Sequence, residues 1–386
     1  MRFTEPEVGQ GRLWLMALLL ACLLPIQVQA ASMCFGVGDR YRWHLDTTHY
    51  KTTPQLLNWL GFAPDNRLLG IWLPAGWQGS WVAGLQGAMD RGYVPVLFEY
   101  SLGDLYQQGK DAWHDVEAHR EDFYAGVKRL VRVLQPLHGT VLVVLQPEFN
   151  IPGVQDRPAF GRMLAQAARM LHHAAHPGLR ILVGTCVGDF GHYGTRISDR
   201  REWSRFAPAL TPAIPQLDFL AFQEMRGGTH RDVEGHMRSY TPEQEGIEVL
   251  GRRTAAFSAF LQKKYRKPLL LAYFVVATMT PPGQPAGTWE KAAKEGYSQL
   301  FDAVPSMAHN GVFGVMAMSL FDDPAHNNNG LDFWGNASDS FGLVTANARL
   351  GQDRIGYPPY VLKPAGRVWL SRTRAVAGAV CSPASW

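Results

Sequence analysis

Eight short apolar runs recur along the chain, each bounded by turn residues and followed by a stretch compatible with a helix. The candidate strands are Met33–Val37, Arg67–Leu73, Val94–Tyr100, Thr140–Gln146, Arg180–Cys186, Asp218–Gln223, Pro268–Val275 and Val312–Ser319. Amphipathic segments Trp81–Arg91, Trp113–Leu134, Pro158–His173, Arg253–Lys264, Trp289–Met307 and Pro364–Arg374 complete the series, with Ser198–Ala209 a further helical candidate. The strand runs are mostly continuous rather than alternating, as in Val141-Leu142-Val143-Val144-Leu145. Continuous runs suit parallel strands covered on both faces. Eight strand-then-helix units predict an α/β fold, the (β/α)8 or TIM barrel. A doubly wound open sheet normally announces a glycine-rich turn after its first strand. Gly36-Val37-Gly38-Asp39 lacks the remaining glycine. No linker rich in Pro, Ser or Gly divides the chain and no internal repeat appears, so one barrel domain is expected.

The amino terminus reads as an address. Arg2 and Arg12 precede an apolar run from Leu13 to Leu24, and Val28-Gln29-Ala30 supplies a small-x-small ending. This is the pattern of a secretory signal peptide cleaved after Ala30. The run falls short of the roughly 20 apolar residues that a bilayer span requires. Leu19-Leu20-Ala21-Cys22 fits a lipoprotein box poorly. Residues 1–30 are therefore expected to be the signal peptide and residues 31–386 the barrel. The mature chain is expected to be secreted or periplasmic, with no integral membrane segment.

Composition narrows the function classes. The 386 residues carry 37 Lys+Arg against 33 Asp+Glu, an excess of four charges and too weak for a nucleic-acid binder. Hydrophobic residues at 46% and charged residues at 18% support a large core. No zinc-type Cys pair, His-Glu-x-x-His, nucleophile elbow or phosphate loop occurs, so neither metal nor cofactor is expected. Four Cys exclude a disulfide-stapled miniprotein. Cys186 ends a buried strand and is expected to be a free core thiol. Cys34 starts the first unit and Cys381 follows the last, so closure of the barrel makes them a candidate disulfide.

In a barrel of this kind the site is built at the carboxyl ends of the strands. The residues there are acids, amides and aromatics: Asp39, Trp72, Trp77, Glu99, Tyr100, Glu148, Asn150, Asp189, Glu224, Tyr273 and Asp322, with Trp334 beyond the last strand. Carboxylates transfer protons, and flat rings stack on sugars, so the rim predicts a saccharide cleft. Cleavage of a glycosidic bond uses two carboxyl groups flanking it. Glu148, between Pro147 and Phe149 after a five-residue apolar run, is the candidate acid. Here strand four resembles the clan A group of (β/α)8 glycoside hydrolases, whose acid/base Glu lies at that strand end. The resemblance implies a nucleophilic Glu at the end of strand seven. Strand seven reads Leu269-Leu270-Leu271-Ala272-Tyr273-Phe274-Val275-Val276-Ala277-Thr278, with no acid. Glu224 is then the first candidate for the second carboxylate, followed by Asp189, the Asp322-Asp323 pair and Glu99. The function expected is an exported glycoside hydrolase acting on a polysaccharide or oligosaccharide. The alternative is a non-catalytic polysaccharide-binding barrel serving export or assembly, and a third is an enzyme of other chemistry, such as a lyase.

Overall fold

The computed structural model describes residues 33–38, 61–62, 65–82, 84–103, 112–190, 193–232, 234–323, 332–345 and 361–376. All of them fall in the compact unit Ser32–Trp386. The expected signal peptide at 1–30, Asp39 and Cys381 lie outside the described residues. Eight strands form a closed parallel barrel in chain order: β1 Cys34–Val37, β2 Asn66–Pro74, β3 Val94–Tyr100, β4 Gly139–Leu145, β5 Leu179–Gly188, β6 Leu220–Arg226, β7 Leu269–Val276 and β8 Val312–Ala317. Strand β8 closes on β1, with Cys34 opposite Gly314 and Val37 opposite Ala317. The TIM-barrel expectation holds, and the strand bounds move by one to three residues at most ends.

Both strand faces are apolar because each meets a different core. Leu142 and Val144 point into the barrel with Val96, Phe98, Ala221 and Leu270. Val141, Val143 and Leu145 point outward into the layer shared with the helices. This is the period-two alternation of a strand, hidden in the sequence because neither face is polar. Gly70 makes room inside: a Cβ there would stand 2.7 Å from the Gly38 Cα and 3.1 Å from both Met316 and Phe98.

The helical layer follows the expected order with local breaks. Trp113–Leu134 divides into Ala112–Ala118 and Arg120–Leu134 at His119, whose backbone is not helical. The Trp81–Arg91 segment shortens to a 3-10 turn at Gly79–Val82 and a helix at Leu85–Met89, separated by Gly84 at φ 80°. Ser198–Ala209 holds only the short helices Arg200–Trp203 and Ala207–Leu210. Two small sheets were not anticipated: the hairpin Thr229–Arg231 with Met237–Ser239, and a set joining Ser319–Phe321, Gly342–Thr345 and Val361–Leu362. The last helix, Pro364–Val376, packs Trp369 on Phe35 and Phe301, and its indole N–H donates to Asn66 Oδ1 at 2.8 Å. No helix among the described residues is long and apolar enough to cross a membrane. Cys186 is a free buried thiol, and Cys34 is disulfide-bonded.

Candidate active site

The turn after β4 aims one carboxyl group into the barrel mouth. Gln146 and Glu148 both take left-handed backbone angles, φ 41° and 66°, on either side of Pro147. Non-glycine residues hold such angles only where their surroundings impose them, and such strain gathers at functional sites. Here the Gln146 N–H donates to Glu99 O at 2.7 Å and the Glu148 N–H to Cys186 O at 3.2 Å, clamping the turn to β3 and β5. Asn150 secures it again, donating to Gly188 O at 2.8 Å and accepting from Gly188 N–H at 2.7 Å. The half-buried Glu148 then receives Tyr100 Oη on Oε2 at 3.0 Å and Gln223 Nε2 on Oε1 at 3.2 Å.

Aromatic rings fill the barrel beside it. Trp72, partly exposed, stacks on Tyr273 with centroids 4.9 Å apart and planes at 20°. It also meets Tyr100 edge-on at 5.2 Å, while Phe98 lies 4.7 Å from Tyr273. Tyr273 reaches this level through a bulge: Phe222 pairs with Leu271 but Gln223 pairs with Tyr273, leaving Ala272 as the extra residue. Its hydroxyl has no hydrogen-bond partner among the described residues, and burial raises its pKa well above the ordinary value. Tyr273 therefore underlies Trp72 as floor and offers no exposed face to a ligand.

The expected second carboxylate is elsewhere. Gln223 points inward to Glu148, so alternation turns Glu224 outward. There it is fully buried, with Arg226 Nη2 2.9 Å from Oε2. Burial and then the charge of Asp189 push the Glu224 carboxyl up to about 8 despite its guanidinium partner. Asp189 sits in the same network. Arg253 donates to both of its oxygens, through Nε and through Nη2 at 2.7 Å, and Trp203 Nε1 donates at 2.8 Å. Burial alone raises the Asp189 carboxyl, but the Arg253 bonds and charge reverse this and hold it below its usual value. Arg226 lies 3.5 Å over the Tyr193 ring and donates Nε to Glu245 O at 3.1 Å. Glu224 and Asp189 thus join strands to the helix Leu250–Tyr265, and neither faces the mouth with Glu148.

Other sequence candidates are also structural. Glu99 is fully buried behind the β4 turn, bonded by the Gln146 side chain. Asp322 accepts from Lys363 Nζ at 2.5 Å and from Gly342 N–H at 2.9 Å, tying the small carboxyl-terminal sheet together. Trp77, 1% exposed, belongs to the outer core, where its carbonyl accepts from Arg129 at 2.6 Å. Trp334, 6% exposed, packs edge-on against His230 and Phe341. Both rings hold loops in place, which corrects their expected role in stacking on a sugar. Among the described residues, Asp232, Glu234 and His236 bring ligand atoms within 4.8 Å of one another, but Arg238 Nε already binds Asp232 at 2.7 Å.

No protein-family profile matches the sequence, and a search of curated proteins finds no match. Solved structures do resemble it. A family 1 β-glucosidase from Thermotoga maritima aligns at 11% identity and TM-score 0.53, covering 90% of this chain and 98% of its own. A β-glucosidase from Thermotoga maritima in complex with azafagomine aligns at 12% identity and TM-score 0.54 over the same shares. An endo-laminarinase from Formosa Hel1_33_131 aligns at 12% identity and TM-score 0.50, covering 82% of this chain and 84% of its own. The barrel is shared with these glycosidases. At such identities the likeness is one of fold.

Within that fold the mouth gathers Glu148, Tyr100, Trp72 and Tyr273, with Asn150 bracing the turn. It does not gather Glu99, Asp189, Glu224, Asp322, Trp77 or Trp334. The side chain that sequence reading missed is Gln223, which binds Glu148 and contacts Cys186 Sγ at 3.7 Å. Its signal was present as the neighbour of Glu224 on a strand where adjacent residues face opposite ways.

Proposed function

We propose that this protein is a glycoside hydrolase acting on a polysaccharide or oligosaccharide at the mouth of its barrel, with Glu148 as the group that protonates the leaving oxygen. The observation that carries the reading is the Glu148 carboxyl, bracketed by Tyr100 and Gln223 beside the partly exposed Trp72 ring. A carboxyl at the rim supplies the proton, and the indole offers a flat face to a pyranose. The glycosidase names of the fold neighbours agree with this chemistry. The signal peptide pattern at residues 1–30 supports an exported enzyme, secreted or periplasmic. The Cys34–Cys381 bridge belongs to the same reading, and thiol counting on the denatured, non-reduced mature chain checks it: one reactive thiol is expected.

The second reading is a polysaccharide-binding barrel without turnover. It is favoured by the end of β7, where Tyr273, Val275 and Ala277 face inward and no acid stands. Reducing-sugar release from laminarin, cellulose, xylan and chitin, wild type against Glu148→Gln, separates the two. Cleavage by wild type that is lost in Glu148→Gln supports the enzyme. Equal binding with no cleavage by either protein supports the binding module.

A further inference from the structure

A second carboxyl stands directly behind the turn that carries Glu148. Glu99 lies on β3 with its side chain outward, beneath the helix Arg120–Leu134, where a Cβ on Gly126 would come within 3.5 Å of Oε1. Its Oε2 accepts from Gln146 Nε2 in a short hydrogen bond. The same amide donates to Ser101 Oγ at 3.1 Å, and Gln146 Oε1 accepts from Leu102 N–H at 3.2 Å. Alternation from Leu142 and Val144 would place Gln146 inside the barrel. The left-handed backbone instead carries its side chain out to Glu99 and brings Glu148, two residues on, into the mouth.

We infer that Glu99 is a positioning residue: through the Gln146 side chain it holds the left-handed turn and so fixes where the Glu148 carboxyl stands. Its catalytic consequence rests on the role of Glu148 proposed above.

The strength of this hold varies with the charge on Glu99. Burial pushes its carboxyl up to about 7, against hydrogen bonds from Ser101 and Gln146 that pull it down. Ser101 faces it from the end of its own strand and the Gln146 amide from β4. Leu73 is its register partner on β2, and the helix presents Gly126 flanked by Phe123, Val127 and Leu130. Among the described residues, the groups that shift it are the Ser101 and Gln146 donors and its own burial, with no charged side chain among them. An ionised carboxyl accepts a charge-assisted bond about twice as strong as a neutral one. The turn is thus gripped harder above neutral pH and loosens as the pH falls through about 7.

Carbon-13 NMR of the glutamate carboxyl groups in the full chain tests this without any substrate, with signals assigned by Glu99→Gln and Glu148→Gln. The Glu148 signal is expected to show an inflection near pH 7 that coincides with the Glu99 titration and disappears in Glu99→Gln. Gln146→Asn, which tolerates the left-handed backbone but shortens the reach, is expected to abolish it too. A Glu148 signal without that inflection in wild type, or with it unchanged in Glu99→Gln, overturns the proposal. On a cleaved polysaccharide, Gln146→Asn should lower kcat about tenfold or more with KM within about twofold, because misplacement of a reacting group acts on turnover. A wild-type kcat in that variant also overturns it. If the NMR coupling is intact and wild type cleaves nothing, the glycosidase reading fails while the positioning of Glu148 by Glu99 stands.

Discussion

Gln223 and Glu224 are consecutive, yet they belong to two regions of opposite character. The first reaches into the barrel mouth and donates to a half-buried carboxyl that also accepts from the Tyr100 phenol. The second turns into the helix layer and meets the Arg226 guanidinium under complete burial. A half-buried carboxyl at the mouth can exchange a proton and accept a ligand. Guanidinium partners and burial lock it into the scaffold, where the desolvation cost requires several hydrogen bonds to offset. The number of acids near the strand ends is therefore a poor guide to chemistry, and the company each one keeps is a better one.

The sharpest way to break this contrast is to neutralise one carboxyl from each region. Glu148→Gln is expected to lose roughly 10²–10⁴-fold in turnover on substrates with poor leaving groups while still binding sugar. Polysaccharide cleavage within twofold of wild type would remove Glu148 from the mechanism. Glu224→Gln should leave turnover per folded molecule within about twofold, since its carboxyl is held by Arg226 in the helix layer.

Arg253→Met probes the scaffold more severely, because it strips Asp189 of its main partner in a buried site. A loss of about 3–5 kcal/mol is expected, read by denaturant unfolding. A loss below about 1 kcal/mol would show that the network is not holding the helix Leu250–Tyr265 to the strands.

The acids of the two regions also predict how stability follows pH. Folding raises the Glu99 and Glu224 carboxyls from an ordinary 4.5 to about 7 and about 8. The folded chain therefore keeps protons that the unfolded chain has released, and the stability from this source is full below about 4.5. It is lost as the pH rises through about 7 and 8. Asp189, held below its ordinary 3.8, acts in the opposite sense and gives up its contribution only as the pH falls further. Melting temperatures between pH 5.5 and 8.5 should fall, and Glu224→Gln should flatten the slope. A rising or level profile in wild type would contradict these directions.

The smallest expected effect separates the tryptophans. Trp72→Ala should weaken oligosaccharide binding about tenfold, the scale of one lost aromatic contact, and remove any fluorescence change on binding. Trp77→Phe should leave both unchanged.

Much of the fold was legible because each strand is a continuous apolar run bounded by turns, and eight such runs with helices between them admit few topologies. The same continuity hid the site. With both faces apolar, hydrophobicity carries no phase, so nothing in Leu220-Ala221-Phe222 says whether Gln223 or Glu224 faces inward. At Gln146 even correct phase would mislead, because the left-handed turn carries its side chain out to Glu99. Trp77 was misplaced for another reason: its partner Arg129 is 52 residues away, a contact that no local pattern encodes.

The indole of Trp369 and the amide of Asn66 are 303 residues apart. Few bonds in a domain span so much of the chain, and this one joins the last helix to the foot of the second strand. During synthesis Asn66 waits for a helix residue made 303 residues later, so the first two strands remain unlatched until that helix emerges. Long-range closure of this kind makes folding slow. A chain halted before Pro364 would retain every barrel strand yet lack the clasp over its first two, so limited proteolysis of such a truncated product should cut at β1 and β2 before the rest of the barrel.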